Sequence, residues 1–163
     1  MTTIGIISDT HNHLDQKFVP FLEKCDAIWH AGDIGSIALA DKIAAIKPLT
    51  AVYGNIDDYN TRLAYPETQR FITDGVDVFI THIGGYPGKY SPAARKVLET
   101  NPPQIFVCGH SHILKVMYDQ KYGCLVVNPG AAGQYGQQAM RTALRLKLDN
   151  GEIKDLEICE LPR

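Results

Sequence analysis

Apolar and polar positions follow several patterns along this chain, and each pattern predicts a different element. Ile4 to Ser8 opens as a short apolar run, which predicts a buried strand. Ala27 to His30 and Leu49 to Tyr53 predict a second and a third strand. Between the first two, Leu14, Phe18 and Leu22 fall at helical spacing within Leu14 to Lys24, although Pro20 delays the regular helix. Between the second and third, Ser36 is placed to cap a helix through Ile37, Ala40 and Ile43 that stops at Lys47-Pro48. The first third therefore reads β-α-β-α-β, the pattern of a parallel sheet with crossover helices.

Beyond that point the pattern changes. Gln69 to Thr73 and Val76 to Thr81 flank Asp74-Gly75, which predicts a hairpin. Ser91-Pro92 predicts a helix start, with Ser as cap and Pro at the first position, and the helix ends before Asn101-Pro102-Pro103. Ile105 to Cys108 predicts another buried strand, and Leu114 to Tyr118 with Cys124 to Val127 a second hairpin. Arg141 to Leu148 alternates strictly, with Leu144, Leu146 and Leu148 on one face and Arg145 and Lys147 on the other. Asp149-Asn150-Gly151 turns the chain, and Ile153 to Cys159 returns. A parallel first half and a largely antiparallel or mixed second half predict an α/β (α+β) fold of two packed β-layers with helices outside.

A chain of 163 residues fits one domain, spanning 1–163, with a core large enough to need no disulfide. The apolar share of 45% and charged share of 21% are those of an ordinary soluble protein. A net charge of −2 argues against an extended nucleic-acid surface or an anionic-membrane coat, so an anionic ligand needs a local positive centre. Cys25, Cys108, Cys124 and Cys159 form no CxxC, which suits a reducing compartment. The N-terminus has no basic, apolar leader pattern, and no apolar run approaches a membrane span. The expectation is a cytoplasmic protein without a membrane partner, and assembly into a homo-oligomer is compatible with the sequence.

The candidate chemistry sits where the strands end. Phe106 to Ile113 reads FVCGHSHI, and alternation along an extended chain would turn His110 and His112 toward one common space. The other strand ends give Asp9 and His11 (SDTHNH), Asp33 (HAGDIG), Asn55 (YGNIDD) and His82 (THIGG). Ligands gather at strand carboxyl ends in α/β sheets. Taken singly, Asp33 serves as well as a helix cap, Asn55 as a turn residue and His82 as a strand-end histidine. Arriving together at five strand ends, they form a nitrogen and oxygen donor set without thiolate, suited to borderline first-row divalent metals. Seven side chains exceed the needs of one ion, whereas two ions sharing a carboxylate receive about four protein ligands each. With two divalent cations, two aspartates and a bridging hydroxide, the site keeps about one positive charge, matched to a phosphodiester anion.

In that order, SDTH, HAGD, GNID, TH, GHSH and NPGA resemble the calcineurin-like metallophosphoesterases, most nearly the small YfcE-type phosphodiesterases, over almost the whole chain. The resemblance implies a four-layer αββα sandwich of two mixed sheets flanked by helices. It implies one ion held by Asp9, His11, Asp33 and His112, and another by Asp33, Asn55, His82 and His110. Asp33 would bridge them, and Asn55, His82 and His110 count also as catalytic. Manganese is the first expectation for the ions, with nickel, zinc, iron or cobalt as alternatives. The implied reaction is hydrolysis of a small phosphodiester by attack of a metal-bridging hydroxide on phosphorus. The alternative is a non-catalytic scaffold or metal-sensing protein of the same fold.

Two departures bear on substrate. Larger family members carry His after the Gly-Asn pair, near the leaving group, where this chain has Ile56; better turnover of good leaving groups follows. Relatives often carry Gly-His after the Thr-His step, where this chain has Ile83-Gly84-Gly85. Asp57 is read as a hydrogen-bond acceptor behind the ligands, His13 and His30 as structural, and Asn128-Pro129-Gly130 as a turn or a loop closing over the site. In Gly84 to Tyr90, Tyr86 and Tyr90 could stack on a ring and Lys89 could meet a phosphate, or the segment is a surface loop.

Overall fold

The computed structural model describes residues 1–163. One five-stranded sheet has the order β10-β9-β1-β2-β3, from β1 (Thr2–Ile7), β2 (Ala27–His30), β3 (Leu49–Ala51), β9 (Met140–Asp149) and β10 (Glu152–Pro162). The other has the order β4-β5-β6-β8-β7, from β4 (Thr68–Thr73), β5 (Val76–Thr81), β6 (Ile105–Val107), β7 (Leu114–Asp119) and β8 (Cys124–Pro129). Both are mixed: β1, β2 and β3 run parallel, as do β5, β6 and β8, and antiparallel strands complete each sheet.

The alternation of side chains builds the layers. Ile4, Ile6, Leu144, Leu146 and Leu148 of the first sheet meet Val78, Ile80, Ile105, Val107 and Val127 of the second in one buried cluster between the sheets. The opposite face of the first sheet, through Ile7, Ile28, Ala51 and Ala143, is covered by α1 (Val19–Glu23) and α2 (Ile37–Ile46), which bring Leu22, Leu39, Ala40 and Ile43. On the second sheet, Phe79, Phe106 and Val126 pack under α4 (Pro92–Thr100), which brings Ala94 and Leu98. Three apolar clusters are thus the three interfaces of an αββα stack.

Ser36 and Ser91 cap α2 and α4 as expected, accepting from Leu39 N and Ala94 N. Pro20 confines α1 to five residues after a 3₁₀ turn at Gln16–Phe18. The apolar pattern predicts no helix at α3 (Tyr59–Ala64), which Asp58 caps by accepting from Thr61 N. The third strand stops at Ala51, two residues short of the expected end. No helix is long and apolar enough to cross a membrane.

Truncating the inter-sheet cluster tests the layer assignment. Leu146→Ala should cost about 3 kcal/mol in urea unfolding, while Leu156→Ala on the partly exposed β10 should cost less than about 1 kcal/mol. Equal losses would contradict the layering.

Candidate metal centre

Parallel strands send their carboxyl ends to one edge of the stack. The loop after β1 carries Asp9 and His11, that after β2 carries Asp33, and that after β3 carries Asn55; from the facing sheet come His82 after β5 and His110 and His112 after β6. Hydrogen bonds stitch these loops together. Asp9 N donates to Gly32 O and His11 N to Asp33 O, each at 3.0 Å. Between the sheets, His82 Nδ1 bonds Ala31 O at 2.7 Å, and His110 N donates to Asp9 Oδ2 at 3.0 Å.

The backbone here is strained. Asp9 (φ 53°), His11 (φ 44°), Asp33 (φ 55°), His110 (φ 71°) and His112 (φ 64°) all lie in the left-handed region. Asp, Asn and His tolerate it better than most, but each such residue costs on the order of 1 kcal/mol. His110 and His112 do face one common centre, but turns and not strand alternation direct them there. Strand β6 ends at Val107, and both histidines stand on left-handed turns beyond it. His110 faces His82, ring centroids 5.2 Å apart, and His112 faces His11 at 5.4 Å.

Each buried carboxylate has one oxygen engaged by the protein. Asp9 Oδ2 accepts from Ser8 Oγ at 2.6 Å and from His110 N. Asp33 Oδ1 accepts from Ile56 N at 3.0 Å. The other oxygens point at imidazole nitrogens. Asp9 Oδ1 lies 3.3 Å from His112 Nε2, 3.8 Å from His82 Nε2 and 3.9 Å from His11 Nε2. Asp33 Oδ2 lies 3.2 Å from His82 Nε2 and 3.4 Å from His11 Nε2, almost midway between the two groups. Donor atoms of Asp9, His11 and His112 fall within 4.8 Å of one another, and so do those of Asp33, His82 and His110. Asn55 Oδ1 joins the second group, 3.1 Å from His110 Nδ1.

Asp9 Oδ1, His11 Nε2 and His82 Nε2 are buried without any hydrogen-bond partner. The carbonyl of Ala31 can only accept, so His82 holds its proton on Nδ1 and presents the Nε2 lone pair inward. Two ligands of one ion, each about 2.0–2.2 Å from it, stand about 3–3.5 Å apart. The shortest separations in each group have that size. The donor set and its orphaned atoms therefore fit divalent metal.

Behind the donors lies a frame of backbone anchors. Asp57, buried, accepts from Ile34 N, Gly35 N and Gly54 N, fixing the loops that carry Asp33 and Asn55. A Cβ on Gly54 would run into the Asp33 carboxylate, and one on Gly109 would meet Ser8 and Asp9. His30 accepts from Gly32 N through Nδ1, so its Nε2 donates to Thr10 Oγ1, which passes its own proton to Ile34 O. Burial lowers the His30 pKa to about 4, which keeps this link neutral. Asn128 Nδ2 donates to Gly109 O and Ser111 Oγ, bracing the histidine loop from below. Thr10 and Ser8 were not legible as supports, because what they brace becomes a neighbour only once the loops after β1, β2 and β6 are brought together.

Electrostatics in the metal-free centre follow the carboxylates. Burial disfavours the His82 imidazolium, but contact with Asp33 and the charge of Asp9 outweigh it and the pKa is raised. The Asp9 contact likewise raises His112. Burial pushes against the Asp33 carboxylate, yet His82 and the Ile56 amide hold it below its ordinary value. Tyr90 is largely buried, and its hydroxyl donates to Asp119 at 2.6 Å, which fixes the ring in place.

A model of the calcineurin-like phosphoesterase superfamily domain matches residues 2–151. A phosphodiesterase of Methanocaldococcus jannaschii is 26% identical over 148 residues, covering 81% of this chain and 85% of that protein. A probable metallophosphoesterase of Methanothermobacter thermautotrophicus is 24% identical over 135 residues, covering 78% and 76%. Among solved structures, zinc-complexed Vps29 of Entamoeba histolytica superposes with a TM-score of 0.75 at 15% identity, covering 98% of each chain.

Asp57→Asn leaves one acceptor oxygen where two served three amides. It should cost about 2 kcal/mol of stability and lower metal affinity roughly tenfold or more, read by urea unfolding and metal titration. Unchanged affinity would remove Asp57 from the supporting frame.

Proposed function

The chain belongs to the calcineurin-like phosphoesterase superfamily, and from that premise we propose that it is a dinuclear metal-dependent phosphodiesterase acting on small phosphodiesters. The observation that carries this reading is the set of three buried donor atoms without partners, Asp9 Oδ1, His11 Nε2 and His82 Nε2, gathered around the buried Asp9 and Asp33 carboxylates. When bound, two divalent ions, manganese foremost, supply Lewis acidity and an activated water for in-line attack on phosphorus.

The chain's own residues prepare that chemistry. Asp9, His11 and His112 would hold one ion and His82, His110 and Asn55 the other, with Asp33 Oδ2 close to both donor groups. Asn55 is a neutral donor, so it leaves the positive charge that a phosphodiester needs. His82 is kept in its inward-facing tautomer by Ala31 O. Ile56 contributes only its amide to Asp33, and its side chain cannot protonate a leaving alkoxide. Substrates with acidic leaving groups are therefore favoured.

A second reading has an observation of its own. The chain resembles Vps29 in fold, and Ile113, Val116, Met117 and Tyr118 lie exposed on or beside edge strand β7, where a protein partner could pair. It would make the chain a scaffold that binds metal without turnover.

An aryl phosphodiester tested beside its monoester, on protein reloaded with manganese, nickel, zinc or magnesium, separates the two. Metal-dependent diester turnover should exceed monoester turnover, and His112→Ala should lower it on the order of 100-fold. Two bound ions with no turnover under any metal would replace the enzyme reading with the scaffold.

A further inference from the structure

We propose that the cavity beside His110 receives one alcohol arm of the phosphodiester, and that it selects an arm combining a flat ring with a second anionic group, as a nucleotide does. This rests on the phosphodiesterase reading. The cavity has a volume of about 270 Å³ and an apolar wall that includes Ile83, Tyr86, Tyr90, Ile113 and Val126. It is lined by His110 as well, so a ligand seated there abuts the candidate metal centre. Its size admits one ring system with its attached sugar and no extended polymer.

Charge gives the second half of the argument. Lys89 and Lys115 line this cavity, and no carboxylate does. Neither lysine takes part in any salt bridge. Lys115 is half-buried, with its Nζ 3.8 Å from the centroid of the Tyr86 ring. Its ammonium has the Tyr86 π face beside it and no carboxylate, so an anion arriving in the cavity gains a cationic partner.

The wall is built in advance. Lys89 N donates to Tyr86 O at 2.8 Å and Ser91 N to Gly84 O at 2.9 Å, closing the loop upon itself. Gly85 sits at φ +85°, where a Cβ would strike the Lys89 carbonyl. Tyr90 is anchored by Asp119. Little ordering remains for a ligand to impose.

A diester has two arms, and a second cavity accommodates the other. It has a volume of about 490 Å³, includes Tyr53, Asn55, Arg62 and His82, and shares Ile83 and Ser91 with the first. Glu67 lines it beside Arg62, so it lacks the unbalanced positive charge of its neighbour. Selection for an additional anion therefore belongs to the Lys89 and Lys115 side.

The test is calorimetry on the metal-loaded chain with three probes: adenosine 5′-monophosphate, adenosine and inorganic phosphate. The monophosphate should bind at least about tenfold more tightly than adenosine. Lys115→Met should remove about tenfold of its affinity and Lys89→Met a smaller part, while inorganic phosphate, held by the ions alone, should bind all three proteins equally. Unchanged monophosphate affinity in both variants, or a parallel fall for inorganic phosphate, would overturn the proposal. Turnover supplies a second readout. A dinucleotide with a terminal phosphate should show about tenfold higher kcat/KM than the same dinucleotide without it, and Lys115→Met should erase the difference; equal values in the native chain would also overturn it. If no diester is hydrolysed with any metal, the phosphodiesterase reading fails, and the binding series still decides whether the cavity takes a nucleotide.

Discussion

Two aspartates stand in the interior of this molecule with one oxygen each tied down and the other aimed at imidazole nitrogens. Asp9 is fully buried and Asp33 nearly so, and Asp9 Oδ1 has no hydrogen-bond donor at all. Leaving an ionised oxygen in that position costs several kcal/mol in a protein interior unless a cation compensates it. The surrounding structure makes the arrangement obligatory. Ser8 Oγ and the His110 amide hold Asp9 Oδ2, and the Ile56 amide holds Asp33 Oδ1, so neither carboxylate can rotate to hide its free oxygen without losing a bond.

The fold makes such a centre by packing two sheets face to face so that their parallel strands end at the same edge of the stack. Donors arrive from both sheets, and the inter-sheet cluster of Ile4, Ile6, Val78, Ile80, Leu144 and Leu146 fixes their separation. The bond from His82 Nδ1 to Ala31 O ties one sheet's ligand loop to the other's strand end. Left-handed backbone at Asp9, His11, Asp33, His110 and His112 then stores strain of order 5 kcal/mol in total, comparable to the net stability of a small domain. Such strain survives because Asp57, His30, Thr10 and Asn128 hold the loops from behind.

Much of this was legible in the residues. Asp74-Gly75 marked its hairpin, Ser36 and Ser91 marked their helices, and the alternation of Leu144, Leu146 and Leu148 marked the core face of β9. The polar strand ends marked the candidate site, because carboxylates and imidazoles at five ends have little reason to be there by packing alone. What escaped was tertiary in origin. Alternation predicts that His110 and His112 face one space, and they do, one in each donor group, but from left-handed turns that the apolar pattern does not show. Six-residue α3 gave too short a signal, although Asp58 is a sound cap for it. Tyr90 reads like a surface aromatic in a glycine-rich loop and is instead a wall, because Asp119, Phe106 and Tyr122 gather around it.

The central claim is that the orphaned donors are the two halves of one metal-binding centre joined at Asp33. Anomalous diffraction from crystals of the manganese-loaded protein addresses it directly. The account predicts two anomalous peaks per chain, one against Asp9, His11 and His112, the other against His82, His110 and Asn55, with Asp33 Oδ2 contacting both. A single peak, or peaks away from Asp33, would contradict it.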